Sequence, residues 1–294
     1  MIIDSHAHYA HMRYDRETPY LCTVDGVYEV RRADRETMLE EMRKNGVVGF
    51  IEPSIGFDAI EKQMEIVEAH KECMWGAIGV HPTRCIHTPW KNRKKLLEYA
   101  KKYNIIAIGE TGLDYHLPRC EQKRFMQKLW FIYQIKLAGK LRLPLVLHIR
   151  GADEDALKIL KRYKKRLHGG VVHCFCGDYE CANEYILLGF AIGIGGKLLG
   201  NDADAKALCD TVKKAPTGAL LAETDAPFVF PDIEDLKIGS NQRKKLCNSS
   251  FILPLIVKKI ADLRGDDIDA TEDALYRNTV RVFGLDTDKN KNWR

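Results

Sequence analysis

The apolar run "MIIDSHAH" ends on two histidines, His6 and His8, while "LPLVLHIRG" and "GGVVHCFCG" carry one each, His148 and His173. Two other runs end on acids, "IIAIGE" on Glu110 and "ALLAETD" on Asp225. Side chains alternate along a strand, which places His6 with His8, His148 with Arg150 and His173 with Phe175. A lone histidine in such a position is ordinarily a hydrogen-bonded structural residue, and a lone buried acid is ordinarily paired with arginine or capping a turn. Six such residues converging on one rim would instead leave several buried polar groups unpaired, at about 1–3 kcal/mol each. A divalent cation removes that difficulty, because imidazole and carboxylate are its common ligands. Four histidines and two acids exceed the needs of one tetrahedral ion. Two ions roughly 3.5–4 Å apart, bridged by a carboxylate, use them all. Such a pair makes hydroxide from water at neutral pH, which is hydrolase chemistry. No serine stands on a recognisable elbow, so no Ser–His–Asp arrangement competes.

The elements that would carry these residues alternate along the chain. Eight strand-like runs, "MIIDSHAH", "VVGFIEPS", "WGAIGVHP", "IIAIGETG", "LPLVLHIRG", "GGVVHCFCG", "FAIGIGG" and "GALLAETDAP", are separated by amphipathic patterns. Helices are predicted over Arg35–Lys44, Ala59–Lys71, Lys91–Tyr103, Glu121–Leu141, Glu154–Leu167, Tyr179–Leu188, Ala203–Lys214, Phe251–Arg264 and Thr271–Phe283. Strand–helix alternation implies parallel pairing through right-handed crossovers. Eight units within 294 residues predict an α/β fold, a (β/α)8 TIM barrel, with the site at the C-terminal strand ends. An open doubly wound sheet would announce itself with a glycine-rich first turn, which "IIDSHAHY" lacks. The long connections His11–Ala33, Thr83–Trp90, Thr111–Cys120 and Phe228–Ser249 follow strands and belong on the catalytic rim. One domain over 1–286 and a short polar tail over 287–294 is the economical division.

Composition excludes several classes. No apolar run approaches the roughly 20 residues of a membrane helix. No basic segment followed by an apolar stretch opens the chain, so the expected location is cytoplasmic. The nine cysteines are odd in number and scattered, as expected of reduced thiols, and "HCFCG" has no second cysteine pair to complete a zinc knuckle. The net charge of +5 gathers in "KNRKKLLEYAKKY" and "KILKRYKKRL", which read as solvated helix faces and point only weakly to nucleic acid.

The ordered motifs "DSHAH", "GVHP", "IGETGLDYH", "PLVLHIRGA", "HCFCG", "LLAETDAPF" and "YRNTVRVFGL" resemble the TatD family of metal-dependent hydrolases, TIM barrels of the amidohydrolase-like superfamily. The resemblance runs from residue 1 to about 286. It implies a divalent-metal phosphodiesterase acting on DNA, a deoxyribonuclease of 3′-to-5′ exonuclease type. It also implies that His6 and His8 hold a first ion, that Glu110 bridges, and that His148 and His173 hold a second. Asp225 would bind the first ion and take the proton of the attacking water, so Asp225 and Glu110 are the catalytic pair. Two departures stand out: Tyr9 and Ala10 replace the family's usual Leu-Asp, and "CNSSFILP" keeps Asn248 but displaces the proline of an Asn–x–Pro turn.

Other rim residues have two readings each. His81 and His116 could meet a phosphate or pack loops. Arg150 could bind phosphate or pair with Glu110, and Lys197 is a further phosphate candidate. Asp4 could orient a ligand histidine or cap the first turn. Tyr9, Tyr14, Tyr20, Tyr28 and Trp90 could stack on bases or simply pack, Tyr9 being the strongest because it adjoins a ligand. The ligand set suits Zn, Mn, Mg, Ni or Co without choosing among them. A DNA or other phosphodiester substrate, no membrane, no protein partner and a monomer are expected. Hydrolysis of a C–N or aminoacyl ester bond stays open as an alternative, as does metal binding without catalysis.

Overall fold

The computed structural model describes residues 1–24, 27–116, 121–231 and 245–286. The eight apolar runs become eight strands of one parallel sheet, each beside the next in chain order. They are β1 (Ile2–Asp4), β4 (Val47–Pro53), β5 (Met74–Ile78), β6 (Ile105–Asp114), β7 (Leu145–Arg150), β8 (Gly170–Val172), β9 (Phe190–Ile194) and β10 (Leu220–Ala222). Between them run α1 (Arg35–Lys44), α2 (Ile60–Ala69), α3 (Arg93–Lys102), α4 (Glu121–Leu141), α5 (Asp153–Arg162), α6 (Tyr179–Leu187) and α7 (Ala203–Lys214), with α8 (Leu253–Arg264) and α9 (Ile268–Phe283) last. The (β/α)8 barrel is therefore present.

Closure falls between the first and last strands. Ser5 N donates to Ala222 O at 3.0 Å, Asp225 N to His6 O at 2.9 Å and His8 N to Ala226 O at 2.7 Å. A buried polar group welds the same seam. The Asp4 carboxylate accepts from Thr224 Oγ1 at 2.6 Å, Ser250 Oγ at 2.5 Å and Thr224 N at 3.1 Å. Burial pushes the Asp4 pKa up to about 6 against these hydrogen bonds.

Two apolar layers follow from strand alternation. One draws on every barrel strand, through Ile3, Ile51, Ala77, Ala107, Val146, Val171, Ala191 and Leu221, and is met by Phe283 and Leu285 at the end of α9. The other lies between strands and helices and includes Phe50, Trp130, Phe131 and Ile256. His148, His173 and Glu223 stand two residues beyond Val146, Val171 and Leu221, so they continue the inner layer toward the C-terminal rim.

Helix bounds differ from expectation mainly at their ends. The segment Lys164–Arg166 is a separate 3-10 turn after α5, and Ser250–Ile252 is another before α8. The last helix starts earlier, at Ile268, because Asp267 caps it by accepting from Ala270 N at 2.9 Å. Also not foreseen is an antiparallel hairpin, β2 (Thr18–Val24) with β3 (Val27–Ala33), inside the connection read as a rim loop. Asp25 and Gly26, which separate the two strands in sequence, lie outside the described residues, as do Cys120, much of the Phe228–Ser249 connection and the 287–294 tail. No helix among the described residues is long and apolar enough to cross a membrane.

Replacing Thr224 by Val removes the hydroxyl that donates to Asp4 and accepts from Ala226 N at 3.1 Å. Urea denaturation of Thr224→Val should show a loss of about 1–3 kcal/mol. An unchanged unfolding midpoint would mean that the seam does not depend on this group.

Candidate metal centre

Glu110 sits 3% exposed on β6, and its two oxygens face different partners. Oε2 lies 3.5 Å from His6 Nε2 and 3.8 Å from His8 Nε2. Oε1 lies 2.8 Å from His173 Nε2, 2.9 Å from His148 Nδ1 and 3.2 Å from His81 Nε2. Asp225 Oδ1 completes the first side at 3.2 Å from His8 Nε2 and 3.6 Å from His6 Nε2. Three overlapping groups have the spacing to hold an ion: His6–His8–Asp225, His6–Glu110–His173 and His81–Glu110–His148. All six residues expected at the centre are thus together, and His81 joins them.

The surrounding chain fixes these side chains. His8 Nδ1 donates to Pro53 O at 3.0 Å, which leaves the Nε2 lone pair directed at Asp225 and Glu110. His6 and His173 stack with ring centroids 3.8 Å apart. From α4, Gln134 binds Val80 N, Val80 O and Thr111 Oγ1 at 2.8, 3.1 and 2.7 Å. Gln127 similarly clamps the backbone of Asp114 at 3.0 Å in both directions. One long helix therefore holds the strand ends that carry His81, Glu110 and Asp114.

The donor set fits a cation. An imidazole nitrogen facing a carboxylate oxygen at 3.2 Å repels it unless a proton or a metal ion lies between. His6 Nδ1 and His173 Nδ1 are buried without a hydrogen-bond partner. Burial opposes every charge here, yet the positive and negative groups separate clearly. Desolvation and neighbouring His173 hold His6 down to about 3. Desolvation also disfavours the His8 and His148 cations, but Asp225 beside the first and Asp114 and Glu110 beside the second raise both to about 9. Glu110 and Asp225 stay below the usual carboxylate range although burial pushes the other way, because imidazoles surround them. The acids beside His8 and His148 thus favour a positive charge at each, carried by a proton or by a metal ion.

The remaining candidates sort by burial and contact. His81 Nδ1 shares a hydrogen bond with Thr83 Oγ1 at 2.7 Å, while its Nε2 faces Glu110. Arg150 is exposed, and among the described residues no ion pair engages it, Glu110 included. His116 is exposed on the rim and donates its backbone N–H to Asp114 Oδ1 at 2.9 Å. Lys197 pairs with Asp202 at 2.5 Å and Asp204 at 3.5 Å, so its ammonium is already engaged. Asp4 orients no ligand ring; it serves the seam. Tyr9 must be corrected: it is wholly buried, its hydroxyl 2.9 Å from Ser250 Oγ and 3.0 Å from Met42 Sδ, and it touches no rim surface. Tyr14 and Tyr20 are buried likewise.

Three acids were missed. Asp114 Oδ2 lies 3.4 Å from His148 Nε2. Glu223 accepts from Cys174 N and lies 3.9 Å from His173 Nδ1, and burial raises its pKa well above the ordinary value. Gly193 admits that carboxylate, since a Cβ there would collide with it. Glu52 is the last residue but one of β4 and lies beside Ala10, whose N–H donates to it at 3.1 Å. Glu223 shares the parity of Asp225, and Glu52 ends an apolar run as Glu110 does, so both signals were present in the sequence.

A family model described as TatD related DNase matches residues 3–284. The chain is 34% identical to the uncharacterized metal-dependent hydrolase YabD of Bacillus subtilis, covering 97% of this chain and 100% of that protein. It is 33% identical to the 3′-5′ ssDNA/RNA exonuclease TatD of a Rahnella species, covering 86% of this chain and 93% of that one. In fold it is similar to YJJV, a TatD homolog from Escherichia coli, with TM-score 0.79 and 24% identity over 97% and 98% of the two chains.

The burial of Tyr9 carries its own test. Tyr9→Phe should lower stability by about 1 kcal/mol through the lost hydroxyl, measured by urea denaturation. A tenfold rise in KM instead would return Tyr9 to the substrate surface.

Proposed function

The chain belongs to the TatD-related DNase family, and from that footing we propose that it is a divalent-metal-dependent phosphodiesterase that removes nucleotides from the end of a single-stranded nucleic acid. The supporting observation is the division of Glu110, one oxygen toward His6 and His8 and the other toward His148 and His173. His6, His8 and Asp225 would hold one ion, His148 and His173 a second, with Glu110 between them. When bound, such ions activate water and neutralise the charge that develops on phosphorus.

The chain's own residues do the rest. Asp225 remains ionised despite its burial and takes the proton from the attacking water. Pro53 O keeps His8 in the tautomer whose Nε2 points inward. Asp114 does the same for His148 through its other ring nitrogen. Arg150, exposed four residues beyond Val146 on the inner-facing register and without an ion pair among the described residues, is a cation placed to meet the phosphate. The C–N or aminoacyl ester alternative has less behind it, since the matched family and the named exonuclease relatives point to phosphodiesters. The described cysteines are free thiols, and we place the enzyme in the reducing cytoplasm.

Chelated protein, reloaded in turn with Zn²⁺, Mn²⁺, Mg²⁺, Ni²⁺ or Co²⁺, should recover hydrolysis of a single-stranded oligonucleotide only with metal and should release mononucleotides. His148→Ala should lower bound metal per chain and reduce kcat by about 10²-fold or more, the scale of losing one electrostatic stabiliser, while circular dichroism stays native. Equal hydrolysis with and without metal, or cleavage confined to a dipeptide or ester, would overturn the assignment.

A further inference from the structure

A cavity of about 340 Å³ opens beside the centre, with His8 in its wall and His11, Met12, Glu52, Ala59 and Arg84 around it. Its chemistry differs from one part to another. His11 stands edge-on to Phe228 with centroids 5.4 Å apart, and the neighbouring Met12 thioether is 71% exposed. A ring and a polarisable sulfur make a soft wall of the kind that accepts the flat face of a base. Glu52 contributes a carboxylate 2% exposed, with Oε2 anchored on Ala10 N. A buried carboxyl group of this kind exchanges hydrogen bonds with a base edge or sugar hydroxyl. Arg84 is exposed and supplies positive charge at the margin. Gln63, also in the lining, has a buried Oε1 with no hydrogen-bond partner.

Size narrows the occupant further. The volume lies at the lower end of the roughly 300–1,000 Å³ typical of small-molecule pockets. That suits a single nucleotide unit and leaves no room for a base pair. The shared wall is decisive, because His8 Nε2 faces Asp225 and Glu110. Whatever fills the cavity therefore lies beside the His8–Asp225–Glu110 cluster.

We propose that this cavity is the subsite for one unpaired terminal nucleoside, with the base against His11 and Met12 and Glu52 as the acceptor that fixes its edge or sugar. This rests on the nuclease reading above and deepens it. It accounts for single-strand selectivity, since a paired base would first have to leave its stack. It also accounts for release one nucleotide at a time.

The test is binding, measured by calorimetry on the full metal-loaded chain with two probes, thymidine 5′-monophosphate and inorganic phosphate. The nucleotide should bind about tenfold or more tighter than phosphate. Ala59→Trp, at an exposed position in the lining, should fill the cavity and bring the two affinities together. Met12→Asp, also exposed, should act in the same sense by placing an anion in the base-facing wall. Equal affinities in the unmodified protein, or a gap that survives both substitutions, would overturn the subsite. Hydrolysis of a single-stranded oligonucleotide, assayed in parallel, separates the two ideas. A binding gap without hydrolysis retires the nuclease reading and keeps the nucleoside site, whereas hydrolysis without a gap does the reverse.

Discussion

One buried carboxylate organises this protein. Glu110 presents an oxygen to imidazoles just after β1 and another to imidazoles within β7 and following β5 and β8, so residues far apart in sequence must agree on its position. Crowded lone pairs and anions cannot be left to water at that depth. The protein instead fixes each group from behind, with backbone oxygen on His8, Asp114 on His148 and the Gln134 amide holding the adjoining strand ends. The barrel supplies rigid strand termini, and α4 supplies the clamps.

A second set of buried acids supports the first. Asp4 and Glu223 lie behind the clustered imidazoles and are both shifted upward by burial, one bound to the seam and the other to the backbone after His173. Their contribution is positional. Asp4 ties the first strand to the residues around Asp225, and Glu223 holds the turn that presents His173.

Much of this was legible in the sequence. Short apolar runs spaced by amphipathic helices specify a parallel barrel, and parity alone puts His148 and His173 on the inner face above Val146 and Val171. Glu110 is different, because the pairing of β6 with β7 shifts register between Ile108 and Thr111, so alternation does not set its direction. The β2–β3 hairpin escaped notice although "VDGV" places a two-residue Asp-Gly between strand-forming residues, a hairpin signal in its own right. Tyr9 was misjudged because adjacency to a ligand says nothing about facing: its neighbour His8 points inward, while Tyr9 turns outward to Ser250 and Met42. Long-range partners such as Gln127 and Gln134 carry no local pattern and emerge only when the helix packs on the strands.

The seam between β1 and β10 has a temporal meaning. His6 and His8 are synthesised ahead of the other clustered residues, but Asp225 and the strand that seats it come after every other barrel strand. A growing polypeptide consequently cannot assemble the hydrolytic constellation until its last staves have left the ribosome. Premature termination upstream of Asp225 would yield a fragment lacking both that carboxylate and barrel closure. The topology itself ties the onset of nucleic-acid cleavage to completion of the barrel.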